Sequence, residues 1–158
     1  MMHSFQTPLI ILLVAFLASC TNPRDEDTDN DTYDPQLAEQ VGADAYGMKK
    51  YYMAFLKAGP SRDQDSTTAA QIQRAHLDNI TRLSEEGILV LAGPFLDQGE
   101  IRGIYIFDVD TEEKARALTE SDPAVQAGRL VMELHPWYGS AALLKVREIH
   151  NEISREEI

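Results

Sequence analysis

The sequence predicts an α+β fold in which helices cover an antiparallel sheet. Two observations carry this prediction: the hydrophobic pattern alternates between strand and helix periods, and glycine or proline separates many of the segments. In chain order, the segments with a clear pattern are 50–58, 67–86, 88–92, 104–107, 111–119 and 130–135. Their types follow the order β-α-β-β-α-β, which is that of the ferredoxin-like fold.

The first strand and the helix after it have the clearest patterns. The strand 50–58 is rich in aromatic residues and apolar on both faces, and Gly59 and Pro60 end it. The helix 67–86 carries one apolar stripe with steps of three or four residues, formed by Ala69, Ile72, His76, Ile80 and Leu83. Gly87 fits the position that terminates a helix.

The second half of the fold is predicted from turn and capping residues. The strands 88–92 and 104–107 flank a glycine-containing turn and should form a hairpin. Asp110 or Thr111 caps the next helix. Asp122, before Pro123, opens a further short helical piece. A C-terminal helical extension is predicted at 141–153.

Both faces of the predicted sheet are apolar, whereas its two helices can cover only one face. The uncovered face would be a large exposed apolar patch, which soluble monomers avoid. We therefore expect this face to lie against a second copy, as a homodimer, or under the C-terminal helix. The homodimer is the first expectation.

The N-terminus predicts export. Residues 9–18 are an unbroken run of ten apolar residues, the length of a signal-peptide core and half of the ~20 residues that a membrane-spanning helix needs. Leu17-Ala18-Ser19-Cys20 resembles the lipobox of bacterial lipoproteins, which implies cleavage after residue 19, lipid on Cys20 and acylation of its new amine. An ordinary signal peptide followed by a chance cysteine is the alternative, and the position of the chain's only cysteine favours lipidation.

The remaining organisation follows from composition. The net charge of −12 lies entirely after residue 19, so nucleic acid is not an expected partner. We predict an acidic flexible tether at 20–36, a lead-in segment at 37–49, one domain at 50–137 and the C-terminal extension at 138–158. Anchoring in the bacterial envelope is expected, and Thr21 in place of Asp favours the outer membrane.

Two residues are the leading candidates for chemistry. His76 lies in the apolar stripe of the first helix, and imidazole is readily used as an acid or base near neutral pH. A core histidine bonded to a backbone carbonyl is the alternative. Asp122 is a typical helix N-cap, and a carboxylate in that place could also orient an imidazole.

A family resemblance becomes visible in the ordered motifs. They are Arg74-Ala75-His76-Leu77, Gly87, Leu91-Ala92-Gly93-Pro94-Phe95, Gly103, Ser121-Asp122-Pro123, Ala127-Gly128 and Glu133-Leu134-His135-Pro136-Trp137. In this order they resemble the YciI-like (YCII-related) family, from about residue 50 to 137.

The resemblance implies a ferredoxin-like domain that dimerises through its sheets, of the dimeric α/β barrel type. It also implies that His76 and Asp122 correspond to a histidine and an aspartate that lie together in a cleft and are proposed as an active-site pair. One relative is a dehydrochlorinase of a chlorinated hydroxyquinol, and the wider superfamily includes muconolactone isomerases and monooxygenases. The anchor, the lead-in segment and the C-terminal extension depart from small cytoplasmic members.

Other site predictions are secondary. Tyr52 and Phe95 could shape an apolar pocket, and His135 could line the same cleft as His76 or be an edge residue. No His, Asp or Glu spacing matches a standard metal motif, so neither a metal nor another cofactor is expected. The sequence also lacks a Gly-x-Ser-x-Gly elbow and a phosphate-binding glycine loop.

Two functions remain open from the sequence. The first is a cofactor-free proton-transfer enzyme, an isomerase or an eliminating lyase, that acts on a small cyclic or carbonyl compound with His76 as base and Asp122 as its orienting partner. The second is a non-catalytic envelope module that binds a small ligand or a protein partner.

Overall fold

The computed structural model describes residues 32–97 and 99–156. The predicted signal peptide, Cys20 and the tether up to residue 31 lie outside the described residues. Within the described part, no helix is both long and apolar enough to cross a membrane.

Four strands form one sheet, and short and long helices connect them. The elements are α1 Pro35–Gln40, β1 Met48–Ala58, α2 Ser66–Glu85, β2 Leu89–Pro94, β3 Ile101–Phe107, α3 Glu112–Glu120, α4 Pro123–Gln126, β4 Leu130–Ser140, a 3-10 helix Ala141–Lys145 and α5 Val146–Ile153. The strand order is β2-β3-β1-β4 and each neighbouring pair is antiparallel. The predicted ferredoxin-like βαββαβ fold and the hairpin of β2 with β3 are confirmed.

The helix-covered face of the sheet carries the larger core. Tyr52 of β1 and Tyr105 and Phe107 of β3 are buried in one cluster, together with Leu83 of α2 and Ala115 of α3. Ala54 pairs with Tyr105 in the ladder of β1 and β3, and side chains alternate between the faces along each strand. Leu83 of α2 packs in this cluster, and the His76 ring stacks on the ring of Tyr105, with 6.0 Å between the ring centres.

We call the opposite side the second sheet face. At one end of it, Tyr51 and Ile106 are buried, and Leu143 and Leu144 of the 3-10 helix pack on that cluster. At the other end Phe55 is only partly buried. The C-terminal segment therefore covers part of the second sheet face and leaves part of it accessible. Cover by this segment was one of the two alternatives that the sequence left open.

Several boundaries differ from the predictions for physical reasons. β4 continues through Pro136 to Ser140, and β2 includes Pro94. Both are edge strands, where the missing N–H of proline removes no ladder bond. The predicted helix at 141–153 begins as a 3-10 turn, a common form at helix ends.

The ends of the predicted domain also shift. The predicted tether 20–36 overlaps the start of α1, because Asp34 caps that helix by accepting from the backbone N–H groups of Gln36 and Leu37. The predicted extension at 138–158 begins inside β4, since the ladder with β1 runs to the pair Met48 and Ser140.

Candidate functional site

The helix α2 carries His76 to the sheet. Asp65 caps its first turn by accepting from Thr67 and Thr68, and Gly87 follows its end with φ 73°, as predicted. Between these ends the apolar stripe faces β3. His76 is consequently buried, with 8% of its surface exposed.

Asp122 lies at the N-terminus of α4, in the predicted capping position. Its Oδ1 accepts from the Ala124 backbone N–H at 2.8 Å, and Pro123 occupies the first helical position, where no N–H is needed. A close backbone contact fixes α4 against the end of β1: a Cβ on Gly59 would lie 2.2 Å from the Gly128 carbonyl oxygen. This contact brings Asp122 over the sheet.

The structure brings the two candidates together. Nδ1 of His76 lies 2.9 Å from both Oδ1 and Oδ2 of Asp122, although the residues are 46 positions apart. Asp122 is fully buried. A carboxylate that accepts from Nδ1–H selects the tautomer in which Nε2 carries the lone pair.

Two further residues complete the site, and the sequence predictions missed both. Asn79 donates from Nδ2 to Asp122 Oδ2 at 3.3 Å, and Tyr105 donates from its hydroxyl to the same oxygen at 3.4 Å. Asn79 follows His76 by three residues, which places it on the same helix surface. Tyr105 alternates with Phe107, but the sequence alone did not show which side of β3 would face α2.

The Tyr105 hydroxyl is a stable hydrogen-bond donor. Burial raises the pKa of Tyr105 above its ordinary value of 10, and the neighbouring Asp122 charge raises it further. The hydroxyl oxygen also lies 3.3 Å from Nε2 and 3.4 Å from Nδ1 of His76. Tyr105 therefore stays neutral beside the pair.

The hydrogen bonds around Asp122 offset the free-energy cost of burying its carboxylate. An isolated carboxylate in a protein interior is strongly unfavourable unless it is paired and hydrogen-bonded. Asp122 has donors on both oxygens: the Ala124 N–H, His76, Asn79 and Tyr105. This geometry can hold an imidazole in one orientation and stabilise it when it gains a proton.

The structure places the other predicted site residues in three different surroundings. Tyr52 is buried on the same face, with the Lys50 ammonium 4.9 Å from its ring centre. Phe95 is half exposed beyond the end of β2. His135 pairs in register with Met53 on the second sheet face, so it does not line a cleft with His76. Its Nε2 lies 2.9 Å from Glu133 instead.

Two of the cavities in the described part of the chain lie away from this pair. One of about 200 Å³ lies beside Val41 and α5, and one of about 100 Å³ lies between Leu89 and the 3-10 helix. Neither is lined by His76 or Asp122. Among the described residues, no cluster of three or more His, Cys, Asp or Glu side chains could hold a metal ion.

The chain was compared with solved structures, curated proteins and protein families. Among solved structures, the chain is similar to the 5-chloro-2-hydroxyhydroquinone dehydrochlorinase of Burkholderia phenoliruptrix AC1100, in complex with 2,5-dihydroxybenzoquinone, at 18% identity and a TM-score of 0.44, over 55% of this chain and 92% of that chain. No curated protein matches the chain. The YCII-related domain matches residues 50–138. Because this match spans more than half of the sequence, the chain belongs to the YCII-related domain family.

Proposed function

We propose that the protein is a cofactor-free proton-transfer enzyme, an isomerase or an eliminating lyase, that acts on a small cyclic or carbonyl compound. One observation carries the proposal: the 2.9 Å contact of His76 Nδ1 with the buried carboxylate of Asp122. An imidazole base oriented by a carboxylate is an arrangement suited to proton abstraction.

Each residue has a distinct task in this mechanism. Nε2 of His76 removes a proton from carbon, and the electron pair of the broken C–H bond forms a new double bond. Asp122 stabilises the resulting imidazolium, and the neutral Tyr105 hydroxyl supports the carboxylate. In an isomerase the new double bond displaces the π electrons of an adjacent carbonyl onto its oxygen, and the carbonyl forms again when the imidazolium gives the proton to another carbon. In a lyase the leaving group departs as an anion with its bonding electrons, and the imidazolium then releases its proton to water.

Proton exchange with solvent tests the chemistry without knowledge of the substrate. The chain is incubated in D₂O with a panel of cyclic ketones, lactones and chlorinated hydroxyquinols, and ¹H NMR follows C–H exchange and anion release. His76→Ala should slow any reaction by about 10²- to 10⁴-fold, the usual contribution of a general base. His135→Ala, at an exposed histidine of the second sheet face, is the matched control and should react at the parental rate. Equal rates for His76→Ala and the parent would contradict the proposal.

A second candidate function is a non-catalytic envelope module that binds a small ligand or a protein. The burial of the pair favours it, since only 10% of the His76 side chain is exposed, and the cavities of about 200 Å³ and about 100 Å³ are lined by other residues. In a thermal-shift screen with fractionated cell extract, a ligand that stabilises the parent and His76→Ala equally would support this function. A ligand whose effect needs His76 would count against it.

We also propose that the protein is exported and anchored through lipid on Cys20. The lipobox-like Leu17-Ala18-Ser19-Cys20 and the preceding apolar run support this location. After cell fractionation the parent should be in the membrane fraction, and Cys20→Ser should be soluble or retain its signal peptide. A parent chain in the soluble fraction would overturn the proposal.

A further inference from the structure

A line of polar contacts leads from the surface of α2 to the buried pair. Arg82 donates from Nη2 to Asn79 Oδ1 at 2.9 Å, and Asn79 donates from Nδ2 to Asp122 at 3.3 Å. The other guanidinium nitrogen, Nη1, lies 2.8 Å from Glu86. Since Asp122 contacts His76, two residues, Asn79 and Asp122, connect the half-exposed Arg82 cation with the His76 imidazole.

The carbonyl oxygen and the NH₂ group of the Asn79 amide are chemically different. Each of the two neighbours can form a hydrogen bond with only one of these groups. The guanidinium of Arg82 has donors alone, so it must face the carbonyl Oδ1. The Asp122 carboxylate accepts, so it must face the Nδ2 hydrogens. A flipped amide would place donor against donor at Arg82 and acceptor against acceptor at Asp122. Arg82 therefore selects the amide orientation that Asp122 needs.

We propose that Arg82 is a positioning residue of the candidate site, which acts through Asn79 to hold the Asp122 carboxylate against Nδ1 of His76. The inference rests on the proposed function of His76 as a base and adds residues that the base depends on. The hydrogen bonds of Arg82 lead to His76 only indirectly. The effect of Arg82 on the imidazole therefore passes through the Asn79 amide and the Asp122 carboxylate.

The ring nitrogens of His76 give a readout that needs no substrate. Long-range ¹H–¹⁵N NMR at alkaline pH, where imidazoles are neutral, measures how much of the histidine carries its proton on Nδ1. In Arg82→Met we expect the ratio of the Nδ1–H to the Nε2–H tautomer to fall by about fivefold, the factor that corresponds to one net hydrogen bond. Arg82→Lys retains a donor for Asn79 and should restore most of the ratio.

Two controls separate positioning from helix stability. Arg116→Met removes a similar pair, with Glu112 four residues earlier on α3 and 57% of the Arg116 side chain exposed, and should leave the tautomer ratio unchanged. In an Asn79→Ala background, Arg82→Met should have no further effect, because the connecting amide is gone.

Failure of the positioning role of Arg82 can be distinguished from failure of the proposed enzyme. An unchanged ratio in Arg82→Met, or an equal fall in Arg116→Met, would overturn the positioning role of Arg82. A further fall when Arg82→Met is added to Asn79→Ala would also overturn it. If the ratio falls as expected while the parent chain exchanges no substrate proton, the positioning contact stands and the proposed enzyme is the part that fails.

Discussion

Replacing Asp122 with alanine should cost far more stability than the loss of an ordinary helix cap. The carboxylate accepts from the Ala124 N–H, and it also satisfies His76, Asn79 and Tyr105. Asp122→Ala removes the acceptor for all of them. Because His76 and Tyr105 are buried, water cannot easily replace the lost partner.

The magnitude can be assembled from these contacts. Loss of an N-cap costs about 1 kcal/mol. A buried donor left without a partner costs about 1–3 kcal/mol, and part of that cost is recovered where the partly exposed Asn79 reaches water. We therefore expect the free energy of unfolding to fall by about 3–5 kcal/mol, the usual range when one partner of a buried pair is removed.

Urea unfolding followed by circular dichroism measures this change, and the chain offers a matched control. Asp65 caps α2 by accepting from the backbone N–H groups of Thr67 and Thr68, one backbone bond more than Asp122 makes to α4, but it lies on the surface. Asp65→Ala reports the capping contribution, and the difference between the two variants isolates the buried contacts. If Asp122→Ala loses no more stability than Asp65→Ala, the reasoning about the buried network is wrong.

Three further predictions concern the rest of the domain. Gly59→Ala should lose about 1–3 kcal/mol in urea unfolding, because its Cβ would overlap the Gly128 carbonyl; Gly93→Ala, with open space around its Cβ, is the control. The free energy of unfolding should fall between pH 10 and about pH 12, since burial and a nearby carboxylate raise the pKa of Tyr51 to about 12 and the unfolded chain ionises first. Tyr51→Phe should reduce that fall and leave the part that the raised pKa of Tyr105 contributes; an unchanged slope would contradict this assignment. If the accessible part of the second sheet face forms a homodimer, the parent should sediment at twice the chain mass. Ile104→Glu should sediment at the single mass, because Ile104 pairs with Phe55 on that face and is only partly buried; a monomeric parent would exclude the dimer.

Most of the fold was predictable because its signals are local. The stripe of α2 and the aromatic-rich apolar run of β1 depend on residues close in sequence, so both elements could be predicted from local patterns. The end of β4 was not predictable in the same way. Whether Pro136 ends a strand depends on whether that strand lies at a sheet edge, which only the assembled order shows.

The site residues likewise fall into those that local sequence reveals and those that only the assembled fold reveals. His76 stood out as a polar residue in an apolar stripe, and Asp122 as a cap before proline, so each was found from its own neighbourhood. Tyr105 and Asn79 gave no such signal, because their importance arises from proximity to Asp122 across the fold. Likewise, His135 could not be assigned to a face until the register of β1 with β4 was known.

The start of β1 and the end of β4 lie side by side, which favours circular permutation of the domain. The Ala141 N–H donates to the Gly47 carbonyl at 2.9 Å, so the residues that enter β1 and leave β4 are direct neighbours. Nearby chain ends are the condition under which circular permutation is tolerated. The end of α1 also lies beside the start of α5, around one cavity. A chain that starts at the exposed Leu96 turn, with a linker that joins the end of α5 to the start of α1, should therefore retain the strand order and with it the site.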